Sequence, residues 1–61
     1  MANERAVKQL FEGLFALTDL RMIFRETAPT HDFSEEQKKR AKEALDRARK
    51  AVADLEEEFN L

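Results

Sequence analysis

The chain has no cysteine, tryptophan or tyrosine, and one each of histidine, glycine and proline. Without cysteine there are no disulfides and no thiolate metal sites, and a single histidine rules out a polyhistidine centre. Scarce glycine and proline, with no low-complexity tract, argue against a disordered linker. Charge of one sign is missing too. Eleven Lys and Arg stand against thirteen Asp and Glu, for a formal net charge of −2. Such a mixed surface gives little long-range attraction to nucleic acid or anionic lipid. No apolar run approaches the ~20 residues of a membrane span, and the opening MANERAVKQL carries an acid and no apolar stretch of a secretion signal. A cytoplasmic location is the expectation, with no membrane among the partners.

What is present is helical periodicity. Sixty-one residues make one domain, and a lone core of that size rarely supplies more than about 3–5 kcal/mol. With disulfides and metals excluded, association is the remaining way to bury more surface. The expectation is an all-α fold: an antiparallel two-helix hairpin over 1–61, dimerising into a four-helix bundle. Its first helix runs over about 4–27, its loop over 28–33 and its second helix over 34–59.

Asn3 is the expected N-cap of the first helix, with Glu4 favourably placed at the positive end of the dipole. Pro29 biases Ala28 away from helical backbone and sets the far end. Between them, Leu10, Leu14, Leu17, Leu20 and Phe24 form one apolar stripe. Phe11, Phe15 and Met22 form a second, with Val7 between the two. Together they cover roughly 220° of the helix, about twice the arc of a helix with one buried face. Gly13 lies on the first stripe, where close approach of a neighbouring helix is the expected reason for a residue that costs about 1 kcal/mol against alanine.

In the loop, Phe33 is expected to fold back beside Phe24. Ser34 and Gln37 fit a capping box at the start of the second helix. Ala41, Leu45, Ala48, Val52, Leu55 and Phe59 then follow at heptad spacing, with Ala44 and Ala51 beside them. Glu35–Lys39, Glu36–Arg40, Glu43–Arg47 and Asp46–Lys50 are spaced for ion pairs within the helix. Packing the first stripe against this helix sets Leu17 near Leu45, Leu10 near Val52 and Val7 near Leu55, large side chains against alanine. Phe11, Phe15, Met22, Val7 and Leu14 then form the expected interface with a second copy or, less economically, with a helix of another protein.

No catalytic constellation emerges. His31 beside Asp32 lacks a third group, and the Glu-x-x-His pattern of carboxylate metal bundles does not occur. Glu12, Asp19 and Glu26 are assigned to the polar back of the first helix. No enzyme activity, cofactor or metal is expected. Arg21 intrudes on the apolar arc with Arg25 one turn on, as possible contacts for a partner or an anion. Lys38, Lys42 and Arg49 line one edge of the second helix, the basis of an alternative reading as a nucleic-acid-associated dimer, but carboxylates interleave with them. Glu56, Glu57 and Glu58 crowd the wrong end of the helix for its dipole. Antiparallel pairing of second helices would set them against Lys38 and Lys42. The resulting expectation is a small non-enzymatic protein–protein interaction module, a regulator or structural adaptor acting as a homodimer or higher oligomer.

Overall fold

The computed structural model describes residues 3–61 as two helices, α1 over Glu4–Thr27 and α2 over Glu35–Glu58, packed on each other as an antiparallel hairpin. Local chemistry sets three of the four ends. Ser34 accepts from the Gln37 amide at 3.1 Å while the Gln37 side chain accepts from the Ser34 amide at 2.9 Å, so the capping box forms in full. At the other end of α2, Asn60 takes a left-handed conformation with φ 61°. Its amide donates to Glu57 O and that of Leu61 to Glu56 O, the paired bonds of a Schellman stop, with asparagine in place of the usual glycine. The start of α1 is plainer than the sequence suggests. Asn3 occupies the N-cap, but its side chain caps nothing.

In the connection, the cis Ala28–Pro29 peptide leads to His31, which has φ 57° and donates its amide to Thr27 O at 2.8 Å. Phe24 collects both loop rings edge-on, His31 and Phe33, each with centroids 5.5 Å away. Phe33 therefore closes the loop end of the hairpin beside Phe24.

The helices meet along their smallest side chains. On α1 the least exposed positions are Ala6, Gln9, Gly13, Ala16, Leu20, Ile23 and Thr27; on α2 they are Gln37, Ala41, Ala44, Ala48, Ala51, Leu55 and Glu58, with Asp54 beside them. Both rows step by three and four, the spacing of a coiled-coil seam. This corrects the expected packing. Leu10, Leu14 and Leu17 are not buried against α2, nor are Leu45, Val52 and Phe59 buried against α1; all six are exposed, and those on the seam's edge flank it rather than fill it. Relative to the first leucine stripe, the contact on α1 is rotated by roughly 70°. The physical reason is distance. Alanine against alanine lets the axes approach more closely than leucine against alanine, bringing two long backbones into dispersion contact. Gly13 belongs to this seam, where a Cβ added to it would lie 3.4 Å from Ala51 Cβ.

One flank of the seam is ionic. Arg5, Glu12, Asp19 and Glu26 recur every seventh residue on α1, and Arg40, Arg47 and Asp54 do so on α2. Arg5 reaches Asp54 at 3.6 Å and Glu58 at 3.4 Å. Arg47 reaches Asp19 at 2.8 Å and Glu12 at 3.8 Å, and Arg40 reaches Glu26 at 3.2 Å. The acids Glu12, Asp19 and Glu26 thus flank the contact rather than the polar back of α1. Their cross-helix bonds also take Arg40 and Arg47 from the intrahelical pairs read from spacing. None of the four anticipated i, i+4 pairs forms; Lys50 instead holds the buried Asp54 at 3.1 Å. Exposed pairs are each worth a few tenths of a kcal/mol. Their sign pattern does more, because sliding one helix by a heptad brings like charges together.

The product is a rod of 44 × 15 × 15 Å. Its radius of gyration is 14.0 Å, against about 10.5 Å for a compact domain of this length. Among the described residues no large side chain is fully buried, and the core consists of Ala6, Ala16, Ile23, Ala44 and Ala51.

Two expectations follow. Gly13→Ala fits the space beside Ala51 and removes a helix-interior glycine, so urea unfolding at fixed protein concentration should show a gain of up to about 1 kcal/mol. Gly13→Leu should instead force the helices apart and lower the midpoint. Hydrogen bonds from Arg40, then from Gln37, hold the Glu26 carboxyl below its ordinary value. A carboxylate with a lowered folded value stabilises the fold fully above the unfolded value, about 4.3, and loses that contribution as pH falls through the lower folded value. Urea midpoints should therefore drop on acidification through this window, and Glu26→Gln should remove part of the drop.

Candidate interaction surface

Because the seam uses the small residues, the large ones are displayed. Val7, Leu10, Phe11, Leu14, Phe15, Leu17, Met22 and Phe24 of α1, Leu45 and Val52 of α2 and Phe59 just past its end are all exposed. They divide into two connected areas. The first is the back of α1, facing away from α2, and holds Val7, Phe11, Leu14, Phe15 and Met22. The Phe11 and Phe15 rings stack here at 6.3 Å, with Phe11 50% and Phe15 59% exposed. All five residues assigned to an interface from the sequence are thus accessible on one helix, with Val7 at the edge where it also borders Leu55 and Phe59.

The second area lies on the non-ionic flank of the seam. There, Leu10, Leu17 and Phe24 run along α1 opposite Leu45, Val52 and Phe59 of α2. Sequence reasoning assigned these residues to the hairpin core and so missed this surface. Its signal was the run of alanines at 41, 44, 48 and 51, facing Ala6, Gly13 and Ala16. An apolar hollow opens toward each end. One, of about 300 Å³, is lined by Ala6, Val7, Leu10, Leu55 and Phe59 among others. The other, of about 270 Å³, is lined by Leu20, Phe24, Phe33, Ala41 and Leu45 among others.

The charges around these areas are distributed unevenly. Among the described residues neither Arg21 nor Arg25 has an ion-pair partner, and both are exposed; Glu4 is likewise unpaired. The basic edge of α2 is different. Lys38 pairs with Glu35 at 3.6 Å, Lys42 with Asp46 at 3.0 Å and Arg49 with Asp46 at 2.8 Å. The hydrogen bond from Lys42, joined by the charge of Arg49, holds the Asp46 carboxyl below its ordinary range. A phosphate approaching this edge would have to compete with carboxylates already in place. Of the acids near the end of α2, Glu58 is engaged by Arg5.

The third concavity, about 380 Å³ on the ionic flank, is lined by Asp19, Ile23, Arg40, Glu43, Ala44 and Arg47. Its two guanidiniums are occupied by Glu26 and by Asp19 with Glu12. Among the described residues no three His, Cys, Asp or Glu side chains converge as metal ligands, and no helix is long and apolar enough to cross a membrane. His31, the remaining candidate for proton transfer, has Nδ1 3.4 Å from Thr27 Oγ1 and its ring against Phe24, which gives it a packing partner at the end of the rod. Comparison with protein-family models, with curated proteins and with solved structures finds no match to this chain.

Proposed function

We propose that this chain is a non-enzymatic interaction module that works as a self-associated helical bundle, in the manner of a small regulator or structural adaptor. The observation that carries this reading is the unpartnered back of α1, where Val7, Phe11, Leu14, Phe15 and Met22 stand exposed together. Isolated exposed leucines are ordinary in proteins, whereas a contiguous aromatic and aliphatic strip on one helix marks a binding surface. Area supports the same reading. The chain exposes 5005 Å², while a compact monomer of this mass exposes about 4,100 Å². The excess is close to the ~800 Å² that one partner contributes to a standard interface.

A second copy is the occupant this reading commits to. Pairing through α1 brings the two α1 helices inside, with each α2 outside, and supplies the burial of large side chains that one hairpin lacks. Folding and assembly are then one process, so stability depends on protein concentration. Sedimentation equilibrium between about 1 and 100 μM should give a mass of at least two chains, with a thermal midpoint that rises with concentration. Phe11→Ser with Phe15→Ser should give a monomer of lower helicity and remove the concentration dependence. A wild-type monomer across the whole range, indifferent to both substitutions, would sink the reading.

A further inference from the structure

We infer that the second copy lies antiparallel on α1, in a single register fixed by reciprocal Glu4–Arg21 ion pairs. This rests on the self-association proposed above and specifies its geometry. On the side of α1 away from α2, a second row recurs at heptad spacing: Glu4, Val7, Phe11, Leu14, Thr18, Arg21 and Arg25. The centre of this row is apolar and its ends are charged, with an acid at one end and bases at the other. Thr18 fits the centre because its hydroxyl already donates to Leu14 O at 2.9 Å, leaving its methyl group free to pack.

In an antiparallel helix pair, alternate positions of such a row form layers with each other. One register sets Phe11 against Leu14 of the second copy and Val7 against its Thr18, each contact occurring twice by symmetry. The next layer outward then joins Glu4 of each copy to Arg21 of the other. These two groups are exposed and, among the described residues, have no ion-pair partner within the hairpin. The alternatives are worse. A slip of one heptad in one direction places Arg21 on Phe11, and in the other it places Glu4 on Leu14. Parallel pairing opposes Glu4 to Glu4 and Arg21 to Arg21. Apolar layering and charge pairing therefore agree on one arrangement, with its two-fold axis level with the Phe11–Leu14 turn. Arg21, the residue most out of place in the apolar arc, becomes the feature that sets orientation.

The absence of native cysteine makes the register directly readable. Val7 and Thr18 of one chain lie about 16 Å apart along the helix, too far to be joined by a disulfide, which requires Cα atoms about 4.4–6.8 Å apart. In a glutathione buffer, Val7→Cys/Thr18→Cys should therefore yield covalent dimers in most chains, while Val7→Cys alone and Thr18→Cys alone stay unlinked. Arg21→Glu alone and Glu4→Arg alone should each weaken the dimer about tenfold at low salt, and their combination should restore it. Self-linking of Val7→Cys alone would establish parallel pairing and overturn the inference. So would a wild-type dimer that neither links through the doubly substituted chain nor responds to the charge reversals, although self-association itself would stand. A monomeric wild type overturns both.

Discussion

The closeness of α1 and α2 governs the rest of the structure. Ala6, Gly13 and Ala16 meet Ala44, Ala48 and Ala51 with little projecting between them, so that a Cβ added to Gly13 would touch Ala51 Cβ at 3.4 Å. That contact gives dispersion energy and good shape matching but removes little apolar area per residue from water. Every large apolar side chain on α1 except Ile23 and Leu20 is then displaced to a surface the hairpin cannot cover. The same contact defines the two flanks, since residues just outside the alanine rows on one side are ionic and those on the other are leucine, valine and phenylalanine.

The parts of the fold set by local chemistry were legible in the sequence. Ala28-Pro29 and Ser34-x-x-Gln37 mark helix ends because they act on one or two backbone groups, and α1 ends and α2 begins where these marks place them, whereas Asn3 stands at the start of α1 without its side chain capping it. Phe33 beside Phe24 was also readable, as the one phenylalanine in a short loop. The face used by α1 was not, although α2 meets it largely through the alanines and Leu55 of its expected seam. A hydrophobicity pattern weights leucine and phenylalanine most heavily, whereas the contact was decided by where bulk is missing. Gly13 was readable as a place of close approach, but Ala6 and Ala16 register as weakly apolar rather than as the rest of its contact row.

The same bias explains the ion pairs. Arg40 and Arg47 each have an acid one turn before them, which suggests bonds within α2. Close packing brings Glu26, Asp19 and Glu12 of α1 within reach as well, and a bond across the seam lies between two rigid backbones. The pattern that encodes this is the heptad run 5, 12, 19, 26 read against 40, 47, 54, with the change of sign between 5 and 12 matched by that between 47 and 54. The exposure of the candidate residues on the back of α1 was legible for a related reason. Val7, Phe11, Leu14, Phe15 and Met22 lie far enough round α1 to remain outside whichever small-residue row α2 takes, whereas the surface spanning both helices depended on which row was chosen.

The ionic flank and the aromatic back of α1 respond oppositely to the solvent. Arg5, Arg40 and Arg47 bridge the helices through exposed pairs, whose attraction fades as mobile ions accumulate around them. The aromatic back of α1 is expelled from water more strongly when that added electrolyte is a sulfate or phosphate. Brine would thus slacken the clasp inside each hairpin and, in the bundle proposed above, tighten the apolar grip between neighbouring rods while loosening the charge pairs at its ends. Electrolyte identity, not only its amount, would decide which of the two junctions yields first.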